Sequence, residues 1–128
     1  AFTEDDIGQV EPLETSRTGL FFDVPAVYVL IDEGSASASE ILAAALRQKR
    51  EAILIGQKSF GKGTIQNAID FEDGSGVHLT IAKWLTPNKT WVHENGIDPD
   101  VLIEITEEDI ENQYDSQLEK ALELAEGF

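Results

Sequence analysis

The residues with the most chemical potential in this chain are Ser37, in Gly34-Ser35-Ala36-Ser37-Ala38-Ser39-Glu40, and Lys62, in Phe60-Gly61-Lys62-Gly63-Thr64. A serine between a buried strand and a helix N-terminus sits where amide dipoles favour developing negative charge. A neutral hydroxyl is a weak nucleophile, however, and needs a base. Lys62, bent tightly between two glycines, is the better candidate for that base, because a lysine in a dry pocket gives up its proton more readily than one in water. Gln66, four residues on, has the chemistry to aim the amine. The two histidines fit less well. His78 falls inside an alternating segment and His93 in a turn-rich one, neither with an evident orienting carboxylate, and both read as structural.

Two plainer readings compete with this one. Ser37 and Glu40 spell an S-x-x-E capping box, in which hydroxyl and carboxylate each bond the other residue's amide. Capping accounts for one serine of three, and the remaining small residues suggest backbone approached closely by a strand or a substrate. Gly56 to Lys62 also has the G-x-x-x-x-G-K spacing of a phosphate-binding loop. Gly63 stands where the magnesium-binding hydroxyl belongs, and TIQNAIDFEDG leaves little room for the long helix that should hold phosphate. Asp32, which could mimic a magnesium-binding acid, precedes the loop instead of following it.

These residues must be positioned by the elements around them. AVYVLI, residues 26 to 31, and AILIG, beginning at residue 52, are apolar runs that suit strands covered on both faces. Between them SEILAAALRQKR repeats Ile41, Leu42, Ala45 and Leu46 at helical spacing and ends in Arg47, Lys49 and Arg50, which suits the helix dipole. Strand, helix, strand in about 30 residues is a parallel crossover. The spacing predicts parallel neighbours at 26–31 and 52–55, with a helix from about Ser39 to Gln48. The stretch 57–76 is rich in glycine and reads as irregular, whereas VHLTIAKWL, residues 77–85, alternates like a strand. VLIEI, 101–105, reads as another strand. The tail carries Leu118, Ala121, Leu122 and Ala125 on one helical face. Residues 1–24 read as short extended pieces and loops.

At 128 residues and 41% hydrophobic composition the chain can bury one ordinary core. A formal charge of -16 argues against nucleic acid or anionic membrane as partner. The charge is concentrated in the tail, where Lys120 alone offsets the acidic side chains from Glu104 to Glu126. No cysteine is present, so the redox compartment stays open. AFTEDDIGQV lacks a signal-peptide layout, and an exported protein would need a targeting segment outside this chain.

GSASASEI (34–41), FGKGTIQ (60–66), LTIAKWLTP (79–87) and GIDPD (96–100), in that order, resemble the catalytic core of the C-terminal processing peptidases, or tail-specific proteases, serine endopeptidases with a Ser-Lys dyad. The resemblance covers about residues 25 to 125. It places Ser37 on the nucleophile, Lys62 on the general base, Gln66 on the residue supporting the lysine, and the Ala38 amide on one oxyanion-hole donor. It implies an α/β, ClpP/crotonase-like protease core fragment with a parallel crossover unit and additional β-strands. The expected layout is a variable N-terminal core segment at 1–24, a dyad-bearing core at 25–106 and an acidic helix at 107–128. The upstream core, with its second oxyanion donor, and the family's PDZ domain are expected to lie outside the chain. Thr86-Pro87-Asn88-Lys89 departs from the Thr-Pro-x-Gly of many relatives.

The resemblance implies acyl transfer near the C-terminal end of a polypeptide substrate, with no metal or organic cofactor, on the periplasmic or extracytoplasmic side of the membrane. Partners would be that substrate, the rest of the protease core with its PDZ domain, and, in an oligomer, further copies of the chain. Two alternatives remain: a non-catalytic peptide-binding or structural relative that keeps serine and lysine apart, and a crotonase-like acyl-CoA enzyme that relies on oxyanion amides.

Overall fold

The computed structural model describes residues 1–15 and 24–127. The expectation for residues 1–24 therefore falls outside the described residues between 16 and 23. Two sheets organise the described residues. The parallel one has the order β3-β4-β7, from Tyr28–Ile31, Ile53–Gly56 and Val101–Leu102. The antiparallel one has the order β2-β1-β6-β5, from Val10–Pro12, Phe2–Glu4, Gly76–Leu85 and Thr64–Asp70. Helix α1, Ala38–Arg50, connects β3 to β4, and the short α2, Glu107–Glu111, precedes α3, Ser116–Glu126.

The parallel pair is in register from Tyr28 opposite Ile53 to Ile31 opposite Gly56. Apart from Tyr28 and Gly56 its residues are β-branched or leucine; Leu54 and Ile55 of β4 are fully buried, as a strand covered on both faces requires, whereas Leu30 of β3 is exposed. Chain leaving β3 and chain leaving β4 emerge from the same end of this pair. The Ser37 turn and the Lys62 loop are thus neighbours, although 25 positions separate them in the sequence. Asp100 secures the far end of α1: its carboxylate pairs with Arg47 and accepts the Leu54 amide at 2.9 Å.

A ClpP/crotonase-like core, the expectation carried by the resemblance, is corrected here. Most of the strand residues lie outside the parallel crossover, in the separate antiparallel sheet. Phe2–Glu4, one of the short extended pieces expected in residues 1–24, pairs with Lys83–Leu85 and adds a strand to that sheet. Residues 64–70, expected to be irregular, form β5 and pair with β6 as a hairpin. Only the ends of that stretch are irregular; Thr64 to Asp70 runs as a strand between two glycine-containing segments without an alternating pattern. A bulge between Ile65 and Gln66 breaks the register. The strand read at 101–105 is shorter, ending at Leu102.

Both long helices are rotated from the faces that periodicity suggested. Helix α1 buries Glu40, Ala43 and Ala44, leaving Leu42 exposed. The alanines let the helix approach the sheet closely, and the carboxylate of Glu40 must point inward to reach its donors. Helix α3 buries Gln117 and Ala121 while Leu118 and Leu122 stay exposed. The Gln117 side-chain amide donates to the Ile103 carbonyl at 3.0 Å, and the Tyr28 hydroxyl donates to the Leu124 carbonyl at 3.0 Å, so polar contacts orient this helix. The core gathers Ile31, Ala43, Ala44, Leu54, Trp84, Val92 and Ile97. Trp84 is its largest fully buried side chain, and truncation of such a residue costs about 3–5 kcal/mol.

Candidate active site

Ser37 stands at the N-cap of α1 with φ 55° and ψ -113°. A non-glycine residue held at such a backbone conformation costs about 1–3 kcal/mol and persists only where its surroundings enforce it. Its amide donates to Glu40 Oε2 at 2.8 Å, one half of the capping box read from the sequence. The other half is weak. The hydroxyl lies toward the Glu40 amide but makes no full cap hydrogen bond, and Ser35 is the serine that bonds locally, donating to Asp32 Oδ1 at 2.9 Å. Ala38, the first residue of α1, is exposed, and its amide belongs to the first turn, where no intrahelical acceptor exists.

The loop bearing Lys62 is fixed from two sides. Its backbone amide donates to Glu40 Oε2 at 2.9 Å, and its carbonyl accepts the Trp84 indole N–H at 2.8 Å. The neighbouring Gly63 carbonyl accepts the Trp91 indole N–H at 2.8 Å and the Trp84 amide at 3.1 Å. The glycines are steric necessities. A Cβ on Gly61, whose φ is +88°, would lie 2.8 Å from the Gly96 amide nitrogen, and one on Gly63 would lie 2.7 Å from that of His93. Main chain and two tryptophans thus hold the lysine's backbone, while its flexible four-carbon stem leaves half-buried.

Glu40 joins the two halves. It is 1% exposed, and its Oε1 accepts the Ser59 hydroxyl at 2.6 Å and the Gly61 amide at 2.8 Å. Oε2 accepts the amides of Ser37 and Lys62. Because both amides donate to one oxygen, they lie within about 6 Å of each other. The phosphate-loop reading ends here. Gly61 and Lys62 do present amides to an anion, but the anion is this carboxylate, and the loop runs into strand β5 instead of a helix.

The structure therefore brings Ser37 and Lys62 together through their backbones. Among the described residues no hydrogen bond joins the Ser37 hydroxyl to the Lys62 amine, and that amine enters no ion pair. Gln66 is exposed on β5 at the bulge, with Thr80 as its cross-strand partner, and does not hydrogen-bond Lys62. His78 lies on β6. His93 stacks on Trp91 with centroids 5.0 Å apart, and its buried Nδ1 has no partner. Neither histidine bonds Ser37. Sequence reasoning took Glu40 only as a cap partner and missed Ser59, Trp84 and Trp91 as clamps on the lysine loop. An inward helix position occupied by glutamate beside two alanines was the available signal.

Comparisons with known proteins identify the family and the fold. The family model described as Peptidase family S41 matches residues 3–103. A carboxy-terminal processing protease of Bacillus subtilis, CtpB, is 53% identical over 77 residues, covering 60% of this chain and 16% of that protein. A carboxyl-terminal-processing protease of Synechocystis is 44% identical over 108 residues, covering 82% of this chain and 25% of that protein. Among solved structures, the photosystem II D1 C-terminal processing protease superposes with a TM-score of 0.68 at 34% identity, over 80% of this chain and 26% of that one. The fold is the one these processing proteases share, which replaces the ClpP/crotonase-like description. The chain spans a quarter or less of the length of these two sequence relatives.

Proposed function

Because the chain belongs to peptidase family S41, we propose that it supplies the nucleophile and general base of a serine endopeptidase that cleaves polypeptides near their C-termini. Ser37 is the nucleophile and Lys62 the base. The observation that carries this assignment is the single carboxylate oxygen holding the amides of both residues at 2.8 and 2.9 Å. A serine forced into a positive-φ turn, its hydroxyl near the Glu40 amide but without a full cap hydrogen bond, has that oxygen available for attack.

In this reading the neutral Lys62 amine takes the Ser37 proton as Oγ attacks the peptide carbonyl, and the Ala38 amide stabilises the oxyanion. The protonated amine then passes its proton to the leaving amine, and water attacks the acyl-enzyme with the same lysine as base. Gln66, re-aimed by the bulge beside it, orients the lysine. The second oxyanion donor comes from an upstream core segment. Residues 25–106 carry the dyad, flanked by an N-terminal core segment at 1–24 and an acidic helical segment at 107–128. The working enzyme adds a PDZ domain that presents substrate tails, self-associates, and acts on the extracytoplasmic side of the membrane. These last features rest on the resemblance to the processing proteases.

The test uses the full-length protein. Ser37→Ala and Lys62→Ala should each lower peptide cleavage by at least about 1000-fold with the circular dichroism spectrum unchanged. With an acylating inhibitor or peptide bound, Ser37 Oγ and Lys62 Nζ should approach to about 2.6–3.2 Å. A Lys62→Ala variant that cleaves at the wild-type rate removes the lysine from the mechanism.

A further inference from the structure

We propose that Glu40 is a positioning residue for the reaction, a buried carboxylate that keeps the nucleophile turn and the base loop in register through one shared oxygen. The inference rests on the assignment of Ser37 and Lys62 above and adds a residue that touches neither substrate nor reacting atoms. An ionised carboxylate is an acceptor only, with about four lone-pair sites. Here four donors fill them: Ser37 N–H, Lys62 N–H, Gly61 N–H and the Ser59 hydroxyl.

The four bonds divide by oxygen into two arms. The Oε1 arm secures the loop, because Ser59 Oγ in turn accepts the Ile97 amide at 2.7 Å and so ties the 57–63 segment to the 94–97 segment. The Oε2 arm reaches the dyad, because it takes one amide from each catalytic residue. The Ser37 amide is also what the positive-φ turn must satisfy, so the same oxygen that places Lys62 enforces the nucleophile's strained backbone. An ordinary N-cap partner would need only the first of these contacts and would not be nine-tenths buried.

The chemistry of the substitutions follows. Glu40→Gln retains one oxygen. Placed at the Oε2 position, that oxygen keeps both catalytic amides, while the new amide nitrogen faces Ser59, whose hydroxyl can rotate to accept, and Gly61, which loses its acceptor. Glu40→Asp keeps the charge but withdraws both oxygens by one methylene, so it loosens the dyad arm together with the loop arm. Glu40→Ala releases both arms. Ser59→Ala cuts into the loop arm alone.

The experiment measures kcat and KM for a reporter peptide with full-length wild type, Glu40→Ala, Glu40→Asp, Glu40→Gln, Ser59→Ala, Ser37→Ala and Lys62→Ala, each well below its own Tm and corrected for folded fraction. Misplacement of reacting groups by about 1 Å costs on the order of 100-fold, so Glu40→Ala and Glu40→Asp should lose about that factor in kcat with KM within about twofold. Glu40→Gln should recover about tenfold or more of the loss although its Tm is lowered, and Ser59→Ala should lower Tm while keeping kcat within about threefold. If Glu40→Ala does not fold, Glu40→Asp decides. Wild-type kcat per folded molecule in Glu40→Asp, or loss of kcat in Ser59→Ala equal to that in Glu40→Asp, overturns the positioning role and leaves Glu40 a structural residue. Full activity in Ser37→Ala or Lys62→Ala instead overturns the site assignment, so the two failures are told apart.

Discussion

The chain contains two capping boxes of the same sequence type, Ser37-x-x-Glu40 and Thr106-x-x-Asp109, and they do different things. At the start of α2, Thr106 has φ -88° and ψ 164°, its hydroxyl accepts the Asp109 amide at 3.1 Å, and its own amide donates to the Asp109 carboxylate at 2.8 Å. Thr106 is exposed and Asp109 half-buried, and α2 buries no residue. At the start of α1 the backbone is turned to φ 55°, the hydroxyl makes no full cap bond, and the carboxylate is buried under four donors. The first box ends a helix. The second uses a helix end to hold two distant loops, and its serine hydroxyl makes no full cap hydrogen bond. A capping motif therefore does not argue against a nucleophile; the backbone conformation and the burial of the acid decide.

The largest expected effect comes from breaking what packs behind the second box. Gly63→Ala would put a Cβ 2.7 Å from the His93 amide nitrogen and from Trp91 Nε1, contacts with backbone and with an indole already bonded to the Gly63 carbonyl. Neither can move without breaking the clamp on the lysine loop. Overpacking of this kind should cost about 3 kcal/mol, read as a lowered midpoint in urea. Gly74→Ala, in the hairpin turn where nothing lies within 4 Å of the added Cβ, carries the strain of φ +84° alone and should cost about 1 kcal/mol. Equal losses in the two variants would mean that the lysine loop is no more tightly built than an exposed turn.

A smaller effect of opposite sign is expected at Ser37 itself. If the turn is strained for catalysis, Ser37→Gly should abolish cleavage yet raise stability by about 1 kcal/mol, because glycine adopts positive φ without the Cβ penalty. Part of that gain is offset by the greater entropy of glycine in the unfolded chain. Ser37→Ala keeps the Cβ and should be inactive with unchanged stability. Thr106→Gly, at an unstrained β-region cap, gives no gain and removes a cap bond. Urea midpoints for the three variants check the ordering; a Ser37→Gly variant no more stable than Ser37→Ala would show that the surroundings do not hold strain at this turn.

The same contrast explains what could be read in the sequence. The crossover was legible because apolar strands and a 3.6-residue period are local signals, and the tight backbone at Ser37 and Lys62 was legible because small residues and flanking glycines mark it. The role of Glu40 was not, since S-x-x-E reads identically whether the acid faces water or four buried donors. The faces of α1 and α3 were misjudged for a related reason. Hydrophobic periodicity assumes that the apolar stripe faces the core, whereas Glu40 and Gln117 are drawn inward by specific hydrogen bonds and rotate their helices accordingly. Strand β5 was hidden by the glycines on either side of it, and its pairing with β6 is a property of the hairpin, not of either segment alone.

The smallest effect lies at the exposed box and is a titration. The Thr106 amide, and after it the Thr106 hydroxyl, hold the Asp109 carboxyl below the usual carboxylate range. A depressed carboxylate contributes to the folded state above its unfolded pKa, about 3.9, and that contribution is lost as pH falls through the lower folded value. The capping of α2 should accordingly be constant from neutral pH down to about 4.5 and weaken only below about 3.9. Because Thr106 is exposed and α2 buries nothing, the change should stay local: the Thr106 amide resonance should shift with the Asp109 carboxyl while the indole N–H of buried Trp84 does not. NMR titration of the two carries the test, with Asp109→Asn as the variant in which the Thr106 shift disappears. An Asp109 carboxyl that titrates at or above the ordinary range would remove the hydrogen bond that makes the two boxes look alike, leaving, of these two, the buried box at Glu40 closed by its acid.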